Sequence, residues 1–146
     1  MLRHISIKNV AVIEQAEIDF ALEKAAFADR VIKGMEEGKI PMRVTHNDTK
    51  INNILFDDKT GKAVSVIDLD TVMPGSMLYD FGDALRMGGS TGAEDETDLS
   101  KVNFDAKAFE CFAKGYISEM KDSLTDDELA LLPFSVMLMT YECGIR

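Results

Sequence analysis

The sequence predicts an α-rich α+β domain in which a small β-hairpin interrupts a mostly helical chain. Two observations carry that expectation. Apolar residues recur at helical spacing over several separate stretches, and two short β-rich segments, 54–56 and 63–67, flank the turn Asp57-Asp58-Lys59-Thr60-Gly61. With 146 residues, 46% apolar and 29% charged, the chain has the length and composition of one globular domain with a real core.

Taken in order, residues 5–20 read as extended structure, with Ile5, Ile7, Val10, Val12, Ile13, Ile18 and Phe20 interleaved with polar residues. From Ala21 the character changes: Leu22, Ala26, Ile32 and Met35 fall near helical spacing, and Gly38 is a stop signal before Pro41. Val44 leads into His46 and a polar loop, and the hairpin follows. Pro74-Gly75 marks a further turn, and a helix is expected from about Leu78 to Met87. Residues 88–100 form a polar, acidic, glycine-containing loop, expected to be mobile. A helix over 106–120 should turn Phe109, Phe112 and Ile117 inward. Thr125-Asp126-Asp127-Glu128 is a capping box opening another helix, which Pro133 should break, kink or restart. The apolar stretch 134–141 should be buried. The chain stops in mid-pattern at Tyr141-Glu142-Cys143-Gly144-Ile145-Arg146, so the natural sequence is expected to continue.

Sixteen basic against 26 acidic residues give a formal charge of −10, which repels nucleic-acid phosphates and argues against a DNA or RNA partner. An acidic surface is compatible with nucleotide bound through Mg²⁺, because the cation inverts the local sign. No apolar run approaches the roughly 20 residues of a membrane span. Lys8, Glu14 and Glu17 interrupt the start of the chain where a secretory signal would be apolar, so a cytoplasmic protein without a membrane partner is expected. Cys111 and Cys143 form no CxxC pair, and Cys111, in an apolar helical stretch, reads as a small buried hydrophobe.

The chemistry concentrates in His46-Asn47-Asp48-Thr49-Lys50-Ile51-Asn52-Asn53, followed by Val66-Ile67-Asp68-Leu69-Asp70. The order acid, amide, acid is what metal-assisted phosphoryl transfer requires. Asp48 is the candidate catalytic base, or the group that orients the acceptor hydroxyl. Asn53, five residues later, and Asp68 are the candidate Mg²⁺ ligands and contacts to the nucleotide phosphates. Asp68 directly follows a strand, and an acid at the end of a buried strand is costly unless it is paired or ligates a metal. Asp70 stays open between a second acid near the metal and a surface turn residue. Lys50 is open between a phosphate contact and a solvated loop lysine. His46 is assigned to holding the loop by hydrogen bonding. His4 is the one other histidine, so Ser/His/Asp and zinc-histidine sites are poorly supported. Tyr79-Asp80-Phe81-Gly82-Asp83 contains a literal Asp-Phe-Gly, but Asp68 stands at the better distance from Asn53. Asp80 is expected to cap a helix and brace the catalytic loop. Glu94-Asp95-Glu96 lacks EF-hand spacing and reads as solvated loop. No phosphate-binding glycine loop precedes the catalytic segment, and Lys8 reads as an exposed strand residue. The usual nucleotide-covering lobe is therefore not visible.

At these residues the chain resembles the aminoglycoside phosphotransferase and choline kinase superfamily, and within it the N-acetylhexosamine 1-kinases more closely. The resemblance lies in Arg43-Val44-Thr45-His46-Asn47-Asp48-Thr49-Lys50, Ile67-Asp68-Leu69-Asp70-Thr71-Val72-Met73-Pro74-Gly75 and Tyr79-Asp80-Phe81-Gly82-Asp83. It continues in Lys114-Gly115-Tyr116 and Glu142-Cys143-Gly144-Ile145-Arg146, and covers about residues 21–146. It implies the C-terminal lobe of a protein-kinase-like fold. The implied reaction is ATP- and Mg²⁺-dependent phosphorylation of the anomeric hydroxyl of N-acetylglucosamine or N-acetylgalactosamine. Asp48 would be the base, Asn53 and Asp68 the metal ligands. The family's N-terminal lobe and further C-terminal helices are not in this sequence, so self-association through the uncovered lobe face is expected. Residues 1–20 are similar instead to the opening strands of the DNA-repair ATPase RecN, without its phosphate loop, and are expected to be foreign to the kinase lobe. Other acceptors (an aminoglycoside, a choline-like alcohol, homoserine) and a non-catalytic binding module are the alternatives.

Overall fold

The computed structural model describes residues 15–93 and 96–145. The residues read as extended from Ile5 to Ile13, together with His4, Lys8, Glu14, Glu94 and Asp95, lie outside the described residues. Four helices and two small antiparallel ladders give the expected α-rich α+β architecture among the described residues.

Helix α1 spans Gln15–Glu36 and runs without interruption through positions 20 and 21. This overturns the extended reading of 15–20: Gln15, Ala16, Glu17 and Ala21 to Ala26 are good helix formers, and Ile18 and Phe20 did not outweigh them. The helix stops as expected at Gly38, whose φ of +73° lets the chain fold back so that Lys39 and Ile40 N–H groups reach the Gly34 carbonyl.

Strand β1 (Arg43–Thr45) pairs antiparallel with β4 (Met73–Gly75), Val44 standing opposite Pro74. Pro74-Gly75 is thus strand rather than turn. A two-stranded ladder is all edge, where a residue lacking an N–H is tolerated. The expected hairpin is β2 (Ile54–Phe56) with β3 (Ala63–Val66), turned by Gly61 at φ +66°. All four β3 residues are exposed, so Asp68 does not follow a buried strand.

Helix α2 (Met77–Gly88) is capped by Ser76, whose hydroxyl accepts the Leu78 N–H. Asp80, in the first turn, is not the cap. Helix α3 (Ala106–Met120) presents Phe109 and Tyr116 to the core, whereas Phe112 and Ile117 are 39% and 38% exposed. Cys111 on the same helix is exposed, not buried. Helix α4 (Asp126–Gly144) opens with the Thr125–Glu128 capping box and passes through Pro133 without ending. Packing on either side of the proline, through Leu132, Phe134, Ser135 and Leu138, holds the helix together while the ring stays on the exposed side. Within 134–141, Met137 and Thr140 are exposed, so only one face of that stretch is core.

The core is the α2–α4 interface: Leu78, Phe81 and Leu85 meet Leu132, Phe134 and Leu138, with Val31 and Ile40 from the α1 side. Phe27 of α1 packs its ring 5.5 Å from both Phe134 and Tyr141. Arg43 reaches from β1 to Glu128 at the base of α4, N–O distances 3.1 and 2.8 Å. Glu128 is 0% exposed. Burial pushes its carboxyl up, but hydrogen bonds from Arg43 and Thr125 outweigh that and hold it below the ordinary glutamate range.

Two outcomes follow. A depressed folded pKa means that the Glu128 contribution is complete above the ordinary value of 4.5 and is lost as pH falls through the lower folded value. Urea midpoints should therefore hold steady down to about pH 4.5, fall as the pH drops from there through the lower folded value, and level off below it, with Glu128→Gln flattening the drop. A methyl at Gly82 would meet the Ser135 carbonyl and Met139 Cγ, the latter at 2.7 Å. Gly82→Ala should cost about 2 kcal/mol, because a helix carbonyl cannot move aside. Gly115→Ala, with nothing near, should stabilise by about 0.5–1 kcal/mol in the same denaturation series.

Candidate functional site

The loop leaving β1 carries His46, Asn47 and Asp48, and it is held from below by α2. Asp80 accepts the backbone N–H of His46 (2.9 Å) and of Asn47 (2.8 Å), one on each carboxylate oxygen. Asp83, one turn on, accepts the Thr49 N–H at 3.0 Å and pairs with Arg86 at 2.9 Å. The Thr49 hydroxyl donates to the Asp80 carbonyl at 2.6 Å. The expected brace by Asp80 is therefore present. Asp83 was missed, although its i+3 spacing from Asp80 puts both carboxylates on one helical face.

Asn47 sits at φ +63°, left-handed backbone that Asn tolerates better than most residues. Its amide donates to the carbonyls of Thr45 and Thr71 while accepting the Thr45 hydroxyl. This geometry turns the chain so that Asp48 stands clear of the brace. Asn53 Nδ2 donates to both Asp48 Oδ2 and the Asp48 carbonyl at 2.8 Å. Lys50 Nζ lies 3.1 Å from the same Oδ2. Burial pushes the Asp48 carboxyl up, but these hydrogen bonds and the Lys50 charge outweigh it and hold the group below the usual aspartate range. Asp48 stays an anion.

Asp68 is brought to the same place by the hairpin. Ile67 N–H donates to the Asn53 carbonyl at 2.9 Å, and His46 Nε2 lies 3.0 Å from the Ile67 carbonyl. With that carbonyl as acceptor, His46 carries its proton on Nε2 and ties the loop, as its expected role requires. Asp68 itself is exposed and left-handed at φ +63°, and its carboxylate has no hydrogen bond or ion pair among the described residues. Asp70 is exposed in the 3-10 turn that follows, Leu69–Thr71.

Among the described residues, no group of three or more His, Cys, Asp or Glu side chains could hold a metal ion. The set present still fits Mg²⁺. Asn53 spends its amide nitrogen on Asp48, which leaves Oδ1 as a hard oxygen donor, and the Asp68 carboxylate is another. Mg²⁺ ordinarily takes one or two protein ligands and completes its shell with phosphate oxygens and water. Tyr79, Asp83, Met139, Glu142 and Asn47 line a cavity of about 280 Å³ between α2 and α4 beside the loop. No described helix is long and apolar enough to cross a membrane.

The Asp80 brace gives a direct test. Asp80→Asn can accept only one of the two N–H groups and turns an NH₂ toward the other. Amide exchange at His46 and Asn47 should accelerate by about tenfold, the loss of one charge-assisted hydrogen bond. Unchanged exchange would mean that the loop is held by other contacts.

Against known protein families, residues 5–110 match the family model described as phosphotransferase enzyme family. The matched span includes the loop, the hairpin, α2 and the start of α3. It also takes in most of residues 1–20, and nothing supports a relation of that segment to RecN.

Proposed function

This chain belongs to the phosphotransferase enzyme family, and from that premise we propose that it is the catalytic-loop lobe of an ATP-dependent sugar kinase. The acceptor in this reading is the anomeric hydroxyl of an N-acetylhexosamine. One observation carries the chemistry: Asp48 is held as an anion by Asn53 and Lys50, and the same Asn53 is joined through the Ile67 N–H to the segment bearing Asp68. The hexosamine acceptor is supported by the resemblance of 43–50, 67–75 and 79–83 to N-acetylhexosamine 1-kinases.

Asp48 would accept a hydrogen bond from the acceptor hydroxyl, aim its oxygen at the γ-phosphorus and take the proton as the new O–P bond forms and the bond from the γ-phosphorus to the β–γ bridging oxygen breaks, with ADP leaving. Its low pKa suits an orienting anion that receives the proton late. Asn53 Oδ1 and Asp68 would hold Mg²⁺, which when bound neutralises charge on the donor phosphates. Lys50, beside Asp48, would add positive charge near the transferred group. An acceptor bearing an ammonium group is the second reading, favoured by the Glu142 carboxylate in the lining of the adjacent cavity.

The test is transfer of phosphate from Mg-ATP to N-acetylglucosamine and N-acetylgalactosamine, with choline and an aminoglycoside alongside. Hexosamine 1-phosphate is expected, and Asp48→Ala should lower its rate by about 10²–10⁴ with the fold intact by circular dichroism. Product from the amino acceptors alone would replace the sugar reading with the second. A folded chain that transfers to none would be a binding module.

A further inference from the structure

The segment after β3 is the unusual part of the site. It carries two exposed carboxylates, Asp68 and Asp70, and one of them sits in left-handed backbone that costs a non-glycine residue roughly 1 kcal/mol or more. Such a conformation persists only where the chain is pinned on both sides. Upstream the pin is Ile67, bonded to Asn53 and His46. Downstream it is Thr71. The Thr71 hydroxyl donates to the His46 carbonyl at 2.6 Å, and the Thr71 carbonyl accepts Asn47 Nδ2 at 3.0 Å. Two residues later, the Met73 carbonyl lies 3.0 Å from the Thr45 hydroxyl and shares its single proton with Asn47 Oδ1.

We propose that Thr71 is a positioning residue that sets the Asp68 carboxylate for the metal by fastening the 68–71 turn to the catalytic loop. The inference rests on the kinase reading above and adds to it a residue that need not touch either substrate or metal. The physical argument is one of linkage. His46 is gripped through its N–H by Asp80 and through its carbonyl by Thr71, so the α2 brace is carried across the loop to the Asp68 turn. Three residues separate the two pins at Ile67 and Thr71, which leaves Asp68 little freedom to swing. Without the Thr71 hydroxyl, the turn is released at one end, and the left-handed conformation of Asp68 can relax. The carboxylate then spends less time where Asn53 Oδ1 can share a cation with it.

The test uses Mn²⁺ as the probe, with binding to the whole chain followed by electron paramagnetic resonance in the presence of ADP. Wild type, Thr71→Val, Thr71→Ser and Asp68→Asn are compared, each checked by urea denaturation. Thr71→Val keeps the shape and loses the hydroxyl, so it should weaken Mn²⁺ by about tenfold, as removal of a group that orients a ligand does. Thr71→Ser keeps the donor and should stay within about twofold of wild type. In transfer assays Thr71→Val should raise the apparent KM for the divalent ion more than it lowers kcat at saturating metal. A purely structural threonine would lower the urea midpoint and leave the metal affinity of the folded fraction unchanged. If Asp68→Asn loses Mn²⁺ while Thr71→Val binds as wild type does, the inference falls and the kinase reading stands. If wild type itself binds no Mn²⁺ with ADP, both fall together.

Discussion

The carboxylate of Asp80 accepts two successive backbone N–H groups, those of His46 and Asn47, and the position of the other site groups follows from that clasp. Two charge-assisted bonds on one carboxylate fix both the height and the rotation of the loop relative to α2. Asn47 can then occupy left-handed backbone, because its amide is held by Thr45 and Thr71 carbonyls that lie where the clasp leaves them. Asp48 is turned away from α2 and toward Asn53. A loop of the same sequence without the clasp would have those N–H groups solvated and no reason to hold any one turn.

The clasp is only as firm as the helix that carries it. α2 is fixed by its contact with α4, where Gly82 permits the backbone of one helix to approach Ser135 of the other. α4 is in turn fixed at its first turn by the Thr125–Glu128 capping box and by Arg43, which comes from the strand just before the loop. Glu128 and Asp80 thus hold the two ends of the short segment 43–47, one from α4 through Arg43 and one from α2. The buried Glu128 is tolerable because Arg43 and the Thr125 N–H satisfy it. An unpaired charge in that position would cost several kcal/mol, roughly.

The apolar surface is distributed in keeping with this arrangement. The core gathers at the helices, while the hairpin leaves Leu55, Phe56, Val64 and Val66 exposed. The hairpin is tied to the loop by the Ile67 N–H on the Asn53 carbonyl and by the His46 ring at the Ile67 carbonyl. A site built this way is rigid beneath Asp48 and lightly supported on the side where Asp68 stands.

Features that depend on neighbours in the chain were legible in the sequence. The Thr125–Glu128 capping box, the Gly38 helix stop, the Gly61 turn and the hairpin around it need only local hydrogen bonds and backbone sterics, and all are present. The order His46, Asp48, Asn53, Asp68 was read as one candidate site from its spacing, and the contacts of Asn53 with Asp48 and of Ile67 with Asn53 and His46 link those segments. What failed was burial and partnership. Cys111, Phe112 and Ile117 face solvent, β3 is uncovered, and Pro74 lies in a strand, since each outcome depends on which element lies opposite. Residues 15–20 went to helix because good helix formers on both sides extended it through an apolar stretch. The pairing of Arg43 with Glu128, 85 positions apart, and the ties of Thr71 to His46 and Asp83 to Thr49 have no local signature. The sequence by itself determined the local turns, the caps and which residue types the candidate site holds. The tertiary structure alone decided which carboxylates are braces and which are left free, because a side chain's role is set by the donors that packing brings within 3 Å of it, roughly.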